Sequence, residues 1–320
     1  MIDLSVIVVS YRGWERLSLC LGSLASFNNE KYTKEIIVVD NNSGDGVISE
    51  FEAKYPGFRF IRNSVNGGYA NGNNLGCRYA EGEYLMILNP DTIVTEKAVD
   101  DLLEASRLNP EYSVVSCRQV NRNGQETVTT GEFPDFFSLT GFQRTIRNLF
   151  SQRSKKMLSQ PGDVIFPDWI SGSLVLIRKD LYEKLGGFFE GFWMYYEDVD
   201  FCFRVRKEGG QVAYFRNITI EHNHGGSSRI NLKTTAVTKT EVLISRHVYV
   251  DRNFSGIRKT SAQVFLTLNN IVTSALMALA GILLFFNQRI FVRTAIFIRL
   301  IDYYSGVLLR KSWISPRAII

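Results

Sequence analysis

Three carboxylates, Glu197, Asp198 and Asp200, fall within four residues of one another, and the aromatics Trp193, Tyr195 and Tyr196 run directly before them. Acids of this kind suit the positive end of a helix dipole. Phe201 and Val205, four residues apart, give that helix an apolar side, and Gly209-Gly210 can end it. Helix capping accounts for one or two of the acids but not for the aromatic wall. Aromatic rings desolvate a neighbouring carboxylate and raise its pKa toward the range useful to a general base. Such a base needs a hydroxyl to deprotonate and a leaving group to work against.

Asn89-Pro90-Asp91 offers oxygen ligands for a hard cation, which often bridges substrate phosphates. Taken alone, Asp91 after a proline is a turn residue. His222 and His224, two of the three histidines, sit in a Gly-rich stretch where such side chains are usually just solvated. An Asp-plus-His set nevertheless suits Mn2+ or Mg2+ with phosphate oxygens completing the shell. Asp40 either caps the following helix or accepts a hydrogen bond from a nucleobase N–H or a ribose hydroxyl. The Asn/Gly-rich segment 66–76 is either a flexible loop or a place where backbone amides approach a nucleotide closely. It is not G-x-G-x-x-G, which disfavours a dinucleotide oxidoreductase.

These residues must be positioned by the elements around them. Apolar runs at 4–9, 35–40, 58–62, 84–88, 113–117, 174–177 and 211–215 read as strands. Helical patterns at 15–27, 96–108 and 179–185, and a helix opened by the 66–76 segment, alternate with them. This order predicts an α/β fold with a parallel sheet, whose ligands bind beyond the carboxyl ends of the strands. Ser10, Tyr11, Asp40, Asn89 and Asp91 all stand at strand ends and are expected to converge on one crevice. Gly124 suggests a hairpin, and Phe136–Leu158, which mixes Phe142 and Phe150 with Arg144, Arg147 and Arg153, reads as a surface helix.

With 320 residues, 45% of them hydrophobic, the chain has enough apolar sequence for a large globular domain with an appendage. The net charge of +5 is uneven. From Arg229 onward 13 Lys/Arg face 3 Asp/Glu, so the front carries a net negative charge. That argues against nucleic acid as a partner of the front and suggests an anionic surface for the tail. Cys20, Cys77, Cys117 and Cys202 are scattered without a C-x-x-C, which leaves structural zinc and redox chemistry without support. The first apolar run is too short for a signal peptide, so the bulk of the chain is expected in the cytoplasm.

Taken in order, Val8-Val9-Ser10-Tyr11, Val39-Asp40-Asn41-Asn42-Ser43, Asn66-Gly67-Gly68-Tyr69-Ala70, Asn73-Asn74, Leu88-Asn89-Pro90-Asp91, Ser171-Gly172-Ser173, Gly187-Phe188-Phe189-Glu190 and Tyr196-Glu197-Asp198-Val199-Asp200 resemble the family 2 inverting glycosyltransferases. The nearest branch is the rhamnosyltransferase-like enzymes of bacterial surface polysaccharide assembly, and the resemblance spans about residues 4–228. It implies a GT-A fold over 1–228, with a nucleotide-binding half about 1–117 and an acceptor half about 118–228. It implies a nucleotide sugar bound by Ser10, Tyr11, Asp40, Asn66, Gly68, Asn74, Asn89 and Asp91, with dTDP-L-rhamnose as the leading donor and UDP-galactofuranose or UDP-hexoses as alternatives. Asp198 becomes the catalytic base. Glu197, Trp169, Trp193 and Tyr196 are expected on the acceptor side, and Asp200 at the helix start. Asn89 stands where many relatives carry the first Asp of a D-x-D, so Asp91 is the acidic metal ligand here. His222 falls where relatives place a metal-binding histidine, with His224 as the second candidate.

The tail, 229–320, is expected to be basic, helical and membrane-associating. No charge occurs between Lys259 and Arg289, and 264–286 is long enough to span a bilayer. Asn269 and Asn270 interrupt it. Arg289, Arg293, Arg299, Arg310 and Lys311 share one side of a following amphipathic helix. A helical hairpin packed on the protein, or a homodimer, is the alternative use of the tail. The expected acceptor is a lipid-linked or polysaccharide hydroxyl at the cytoplasmic face of a bacterial inner membrane. A sugar nucleotidyltransferase would need an early basic triphosphate loop, which is missing; a non-catalytic glycan-binding protein would have no need of an intact Glu197-Asp198 pair.

Overall fold

The computed structural model describes residues 2–28, 31–141, 143, 162–223, 231–283 and 288–319. Two compact units emerge. The first comprises Met1–Phe133, Gln152–Phe189 and Glu197–Ser227; the second comprises Pro134–Ser151, Glu190–Tyr196 and Ser228–Ile320.

The first unit is built on a nine-stranded sheet in the order β3 (Arg59–Arg62), β2 (Lys34–Asp40), β1 (Leu4–Ser10), β4 (Tyr84–Leu88), β10 (Leu174–Arg178), β6 (Tyr112–Val120), β11 (Gln211–His222), β5 (Thr92–Ile93), with β8 (Val164–Ile165) also against β11. β7 (Thr130–Gly131) and β9 (Trp169–Ile170) form a separate pair. β1 and β4 are buried along their whole length, which is why they read as unbroken apolar runs. Their alternate residues feed two cores. Val6, Val8, Val38 and Met86 pack with α1 (Trp14–Ala25), α2 (Ile48–Lys54) and α4 (Glu96–Leu108). Ile7, Val9, Ile37 and Ile87 pack with α3 (Gly68–Arg78), α5 (Lys179–Lys184) and α6 (Glu197–Lys207).

The sheet is mostly parallel, with one interior departure. β10 runs antiparallel between β4 and β6, and β5 and β8 run antiparallel to β11. An apolar run has the same composition in either direction, so the sequence pattern carries no sign for it. The expected hairpin at Gly124 is present, with Val120 bridged to Glu126. Of the expected surface helix 136–158, residue 142 and those from 144 onward lie outside the described residues.

The glycines of α3 serve packing. A Cβ at Gly76 would lie 2.5 Å from Ile7 and one at Gly72 2.7 Å from Val9. The helix therefore rests directly on β1, which fixes the strand-end crevice above it.

The second unit contains α7 (Leu232–Asn253), α8 (Gly256–Leu283) and α9 (Gln288–Arg310). α8 runs unbroken through Asn269-Asn270. Asn270 is 1% exposed and donates to the Tyr304 hydroxyl at 3.0 Å. His247 on α7 bonds Gln263 (2.5 Å) and Tyr304 (3.0 Å), so the polar groups of α8 are paired inside the bundle and do not break the helix.

Candidate active site

β1, β2 and β4 are parallel neighbours, so their carboxyl ends share one edge of the sheet in the first unit. Asn41 N–H donates to Ser10 carbonyl (2.8 Å) and Asn63 N–H to Asp40 carbonyl (2.9 Å), tying the strand ends together. Asp40 is buried, and one carboxylate oxygen accepts Ser43 N–H at 3.0 Å. Arg12, held at φ 53°, donates its backbone N–H to Ser43 Oγ (3.0 Å) and its Nε to Ser43 carbonyl (2.9 Å). Its guanidinium lies 5.3 Å from the Tyr11 ring. An amide lattice backs this corner: Asn63 donates to Asn41 Oδ1, and Asn41 donates to Asn66 Oδ1 and Gly68 carbonyl. Ser10 Oγ is fully buried and has no hydrogen-bond partner among the described residues. Gly68 sits at φ 86°, a conformation that favours glycine, where α3 begins.

Asn74, expected at the nucleotide, is instead committed to structure. Its Oδ1 accepts from the Tyr182 hydroxyl (2.6 Å) and Phe188 N–H (2.9 Å), and its Nδ2 donates to Phe188 carbonyl (2.8 Å). It latches the Gly186-Gly187-Phe188 turn onto α3.

The second cluster is Asp91 with His222. β11 continues past the expected strand end to His222, which pairs with Thr92 of β5 and is 2% exposed. The histidine is thus a buried strand residue and not part of an exposed loop. Its Nε2 lies 3.2 Å from Asp91 Oδ1. On the other side of the ring, Nδ1 is 2.7 Å from Gln119 Oε1, an oxygen that also accepts from Ser173 Oγ at 2.8 Å. Nδ1 therefore carries the hydrogen, and Nε2 presents its lone pair to a carboxylate oxygen. Two acceptors facing one another call for a proton or a cation between them. Adjacent ligands of an octahedral ion with bonds of about 2.1 Å are about 3 Å apart, so the pair fits a hard divalent metal. Among the described residues no third His, Cys, Asp or Glu joins them; His224 and 225–230 lie outside those residues. Arg16 approaches the second Asp91 oxygen at 3.7 Å. Arg16 also lines a polar cleft of about 370 Å³ with Glu15, Arg122 and Asn223.

The third cluster heads α6. Asp198 accepts Gly172 N–H and Val199 N–H, each at 2.8 Å. Burial raises its pKa, and those two N–H groups oppose the rise. Glu197 is 4% exposed, and its Oε2 finds no partner among the described residues. Burial, then the Asp198 charge beside it, pushes Glu197 well above the usual carboxylate range. Both acids are raised, and as one buried pair they disfavour carrying two charges. Asp200 is fully buried and paired with Arg204 at 2.9 Å. Arg204 also donates to Leu185 and Gly187 carbonyls, so this acid belongs to the helix support.

Tyr69 joins the clusters. Its hydroxyl donates to Gly172 carbonyl at 2.6 Å. Its phenol pKa is raised well above the ordinary value by burial first and then by Glu197, Asp198 and Asp91 together. Its hydroxyl thus ties α3 to the same turn whose Gly172 N–H holds Asp198. Gln119, Tyr69 and Gly172 were missing from the sequence-based site. Tyr69 and Gly172 stood within motifs that carry the family resemblance, whereas Gln119 lies beyond the expected strand 113–117 and left no sign.

Trp169 is half-buried on β9, its Nε1 donating to Glu132 carbonyl at 2.9 Å. Trp193 and Tyr196 belong to the second unit. Trp193 is 5% exposed with the Arg317 guanidinium 4.5 Å from its ring, and Tyr196 packs against Tyr249 at 5.7 Å. Tyr195 and Tyr196 both adopt the left-handed region, at φ 72° and 70°. Side chains rarely take that conformation, and strain of this kind clusters near functional sites.

Comparison with known proteins bears on the family and the fold. The family model described as Glycosyl transferase family 2 matches residues 5–186. The chain is 29% identical to the low-salt glycan biosynthesis hexosyltransferase Agl10 of Haloferax volcanii, over 69% of this chain and 67% of that protein. It is 24% identical to the N-acetylglucosaminyl-diphospho-decaprenol L-rhamnosyltransferase of Mycobacterium tuberculosis, over 70% and 77%. It is 25% identical to rhamnosyltransferase WbbL of Escherichia coli K12, over 79% and 97%. Among solved structures, GalNAc-T7 with UDP, GalNAc and Mn2+ superposes with a TM-score of 0.55 at 17% identity, covering 79% of this chain but only 50% of that one. Staphylococcus aureus TarS 1–349 with UDP gives 0.51 at 14% identity, over 97% and 92%. These two neighbours share the GT-A fold, and the chain is a member of glycosyl transferase family 2.

Proposed function

We propose that the protein transfers a sugar, with inversion, from a nucleotide sugar to a hydroxyl of a lipid-linked glycan or polysaccharide precursor. The observation that carries this is that one turn, 171–173, reaches both a buried His222–Asp91 contact through Gln119 and the acid pair Glu197-Asp198 through Gly172 N–H. One ionised carboxylate there is free to take a proton, and a second is poised with a histidine to hold a cation. In the reaction, the acceptor O–H gives its proton to Asp198 as oxygen bonds the anomeric carbon and the bond to the nucleoside diphosphate breaks. Glu197, kept protonated, donates a hydrogen bond to the acceptor. Asp91 and His222 would hold Mn2+ or Mg2+, which would supply positive charge to offset that of the departing diphosphate. Asp40, Ser10 and the amides behind Asn66 receive the nucleoside. The rhamnosyltransferases and the hexosyltransferase among the relatives favour a deoxyhexosyl or hexosyl group, with dTDP-L-rhamnose as the leading donor. Screening dTDP-L-rhamnose, UDP-galactofuranose and UDP-hexoses for thermal stabilisation and slow hydrolysis, with and without Mn2+, tests the reading. Stabilisation by none of them would overturn it.

The second unit supports a membrane acceptor. α8 is polar inward and apolar outward. Gln263, Asn270 and Ser274 are buried, whereas Val264, Leu268, Val272, Leu276 and Leu279 are 53–60% exposed. A water-facing helix has the opposite pattern; polar groups turned into a bundle and apolar ones outward suit hydrocarbon. The helix is long and apolar enough to cross a membrane by length and composition. Arg293, Arg310 and Lys311 on and after α9 are exposed beside Phe291, Ile298 and Leu308, a combination that fits an anionic leaflet. The expected site is the cytoplasmic face of a bacterial inner membrane, with α8 embedded in the leaflet.

A further inference from the structure

We infer that Gln119 is the positioning residue of the metal site, a role that rests on the reading of Asp91 and His222 as metal ligands. Gln119 is fully buried on β6, where an apolar residue would fit the surrounding run. Its Oε1 receives two donors, His222 Nδ1–H at 2.7 Å and Ser173 Oγ–H at 2.8 Å. Its Nε2 has no hydrogen-bond partner among the described residues. Leaving a buried amide N–H unpaired costs roughly 1–3 kcal/mol. What places the residue in the site is its oxygen, on which the His222 ring and the Ser173 hydroxyl both converge.

That oxygen has a specific consequence. An imidazole whose Nδ1–H is fixed by an acceptor offers Nε2 as the ligating nitrogen, here 3.2 Å from Asp91 Oδ1. Without the acceptor, the ring is free to place its hydrogen on Nε2, donate to Asp91 and close the site with an internal hydrogen bond. Gln119 thus decides whether the pair is a cation site or a closed His–Asp contact. Through Ser173 it also reaches the turn that holds Asp198, because Ser173 carbonyl accepts Asn89 N–H and Gly172 N–H donates to Asp198.

The test uses the full chain with Mn2+ alone as probe. In wild type, 15N–1H correlation of the ring nitrogens should show Nδ1–H for His222, and titration should show Mn2+ binding. Gln119→Leu should lose the Nδ1–H signature and weaken Mn2+ about 10–100-fold. Gln119→Glu, which keeps an acceptor at the same place, should retain both. Loss of both signals in Gln119→Leu with recovery in Gln119→Glu supports the role. Unchanged tautomer and Mn2+ affinity in a folded Gln119→Leu overturns it. If wild type shows the Nδ1–H tautomer yet binds no Mn2+, the metal reading itself falls, and the positioning role falls with it.

Discussion

Replacing Asp198 by Asn separates the two acids that head α6. The carboxylate accepts two N–H groups, from Gly172 and Val199, each at 2.8 Å. Asn can accept one of them and must present its NH2 to the other, so one charge-assisted hydrogen bond is lost. Removing a buried charge beside Glu197 offsets that cost, and the fold should survive within about 1–2 kcal/mol. The reaction should not survive as well. A positioned base contributes roughly 10²–10⁴-fold, or about 3–5 kcal/mol of barrier. The assay is sugar transfer at saturating donor, paired with calorimetric measurement of nucleotide affinity. The expected result is a kcat lower by at least about 100-fold with nucleotide Kd within about threefold of wild type. Glu197→Gln is the control, because a protonated Glu and a Gln have nearly the same shape and charge; its kcat should fall less than about tenfold. An Asp198→Asn enzyme within tenfold of wild type, or the reverse ranking of the two variants, would refute the assignment.

Two further outcomes follow from the second unit. Leu268→Glu with Leu276→Glu places charge on the outward face of α8 and should abolish co-sedimentation with vesicles containing anionic lipid; unchanged binding would argue for a different membrane contact, and a shift in oligomeric state for a second copy of the chain on this face. Glu241, buried on α7 with Ser315 Oγ donating to it at 2.9 Å, has its pKa raised by burial from 4.5 to about 7, against the opposing pull of Arg317 and Arg299. A folded-state pKa above the unfolded one means no penalty below about pH 4.5 and stability lost as pH rises to about 7, up to about 3 kcal/mol. Glu241→Gln should match wild type near pH 4.5 and melt higher at pH 8; equal melting at pH 8 would contradict the burial.

Much of the first unit was legible because its strands are buried on both faces. Runs such as Leu4–Val9 and Tyr84–Leu88 leave little else for a chain to do, and Thr95 ahead of α4 marks its start by accepting Ala98 N–H. Strand direction was not legible, since β10 has the same apolar content whichever way it runs. His222 read as a loop residue because the bulge between Phe215 and Thr219 resets the register of β11 and hides its continuation. Asn270 read as a breach in an apolar helix, although its partner Tyr304 lies 34 residues away. Side chains that serve other side chains, Asn74 and Gln119 above all, leave a residue type in the sequence but no sign of whom they serve.

The turn Ser171-Gly172-Ser173 shows how such placement is enforced. Its middle N–H holds Asp198, its last carbonyl accepts Asn89 N–H beside the metal residues, and its last hydroxyl feeds Gln119. Small residues are required for a physical reason. A Cβ at Gly172 would meet the Tyr69 ring at 3.2 Å, tighter than most such contacts, while the Tyr69 hydroxyl must reach Gly172 carbonyl at 2.6 Å. A side chain there would make Tyr69 give way and strain its hydrogen bond to the Gly172 carbonyl. Asp91 and Asp198 lie more than a hundred residues apart in sequence, and three residues of backbone tie their surroundings into one frame. A displacement at this turn would therefore be felt at both, which is why its glycine and serines belong to the site as much as the acids do.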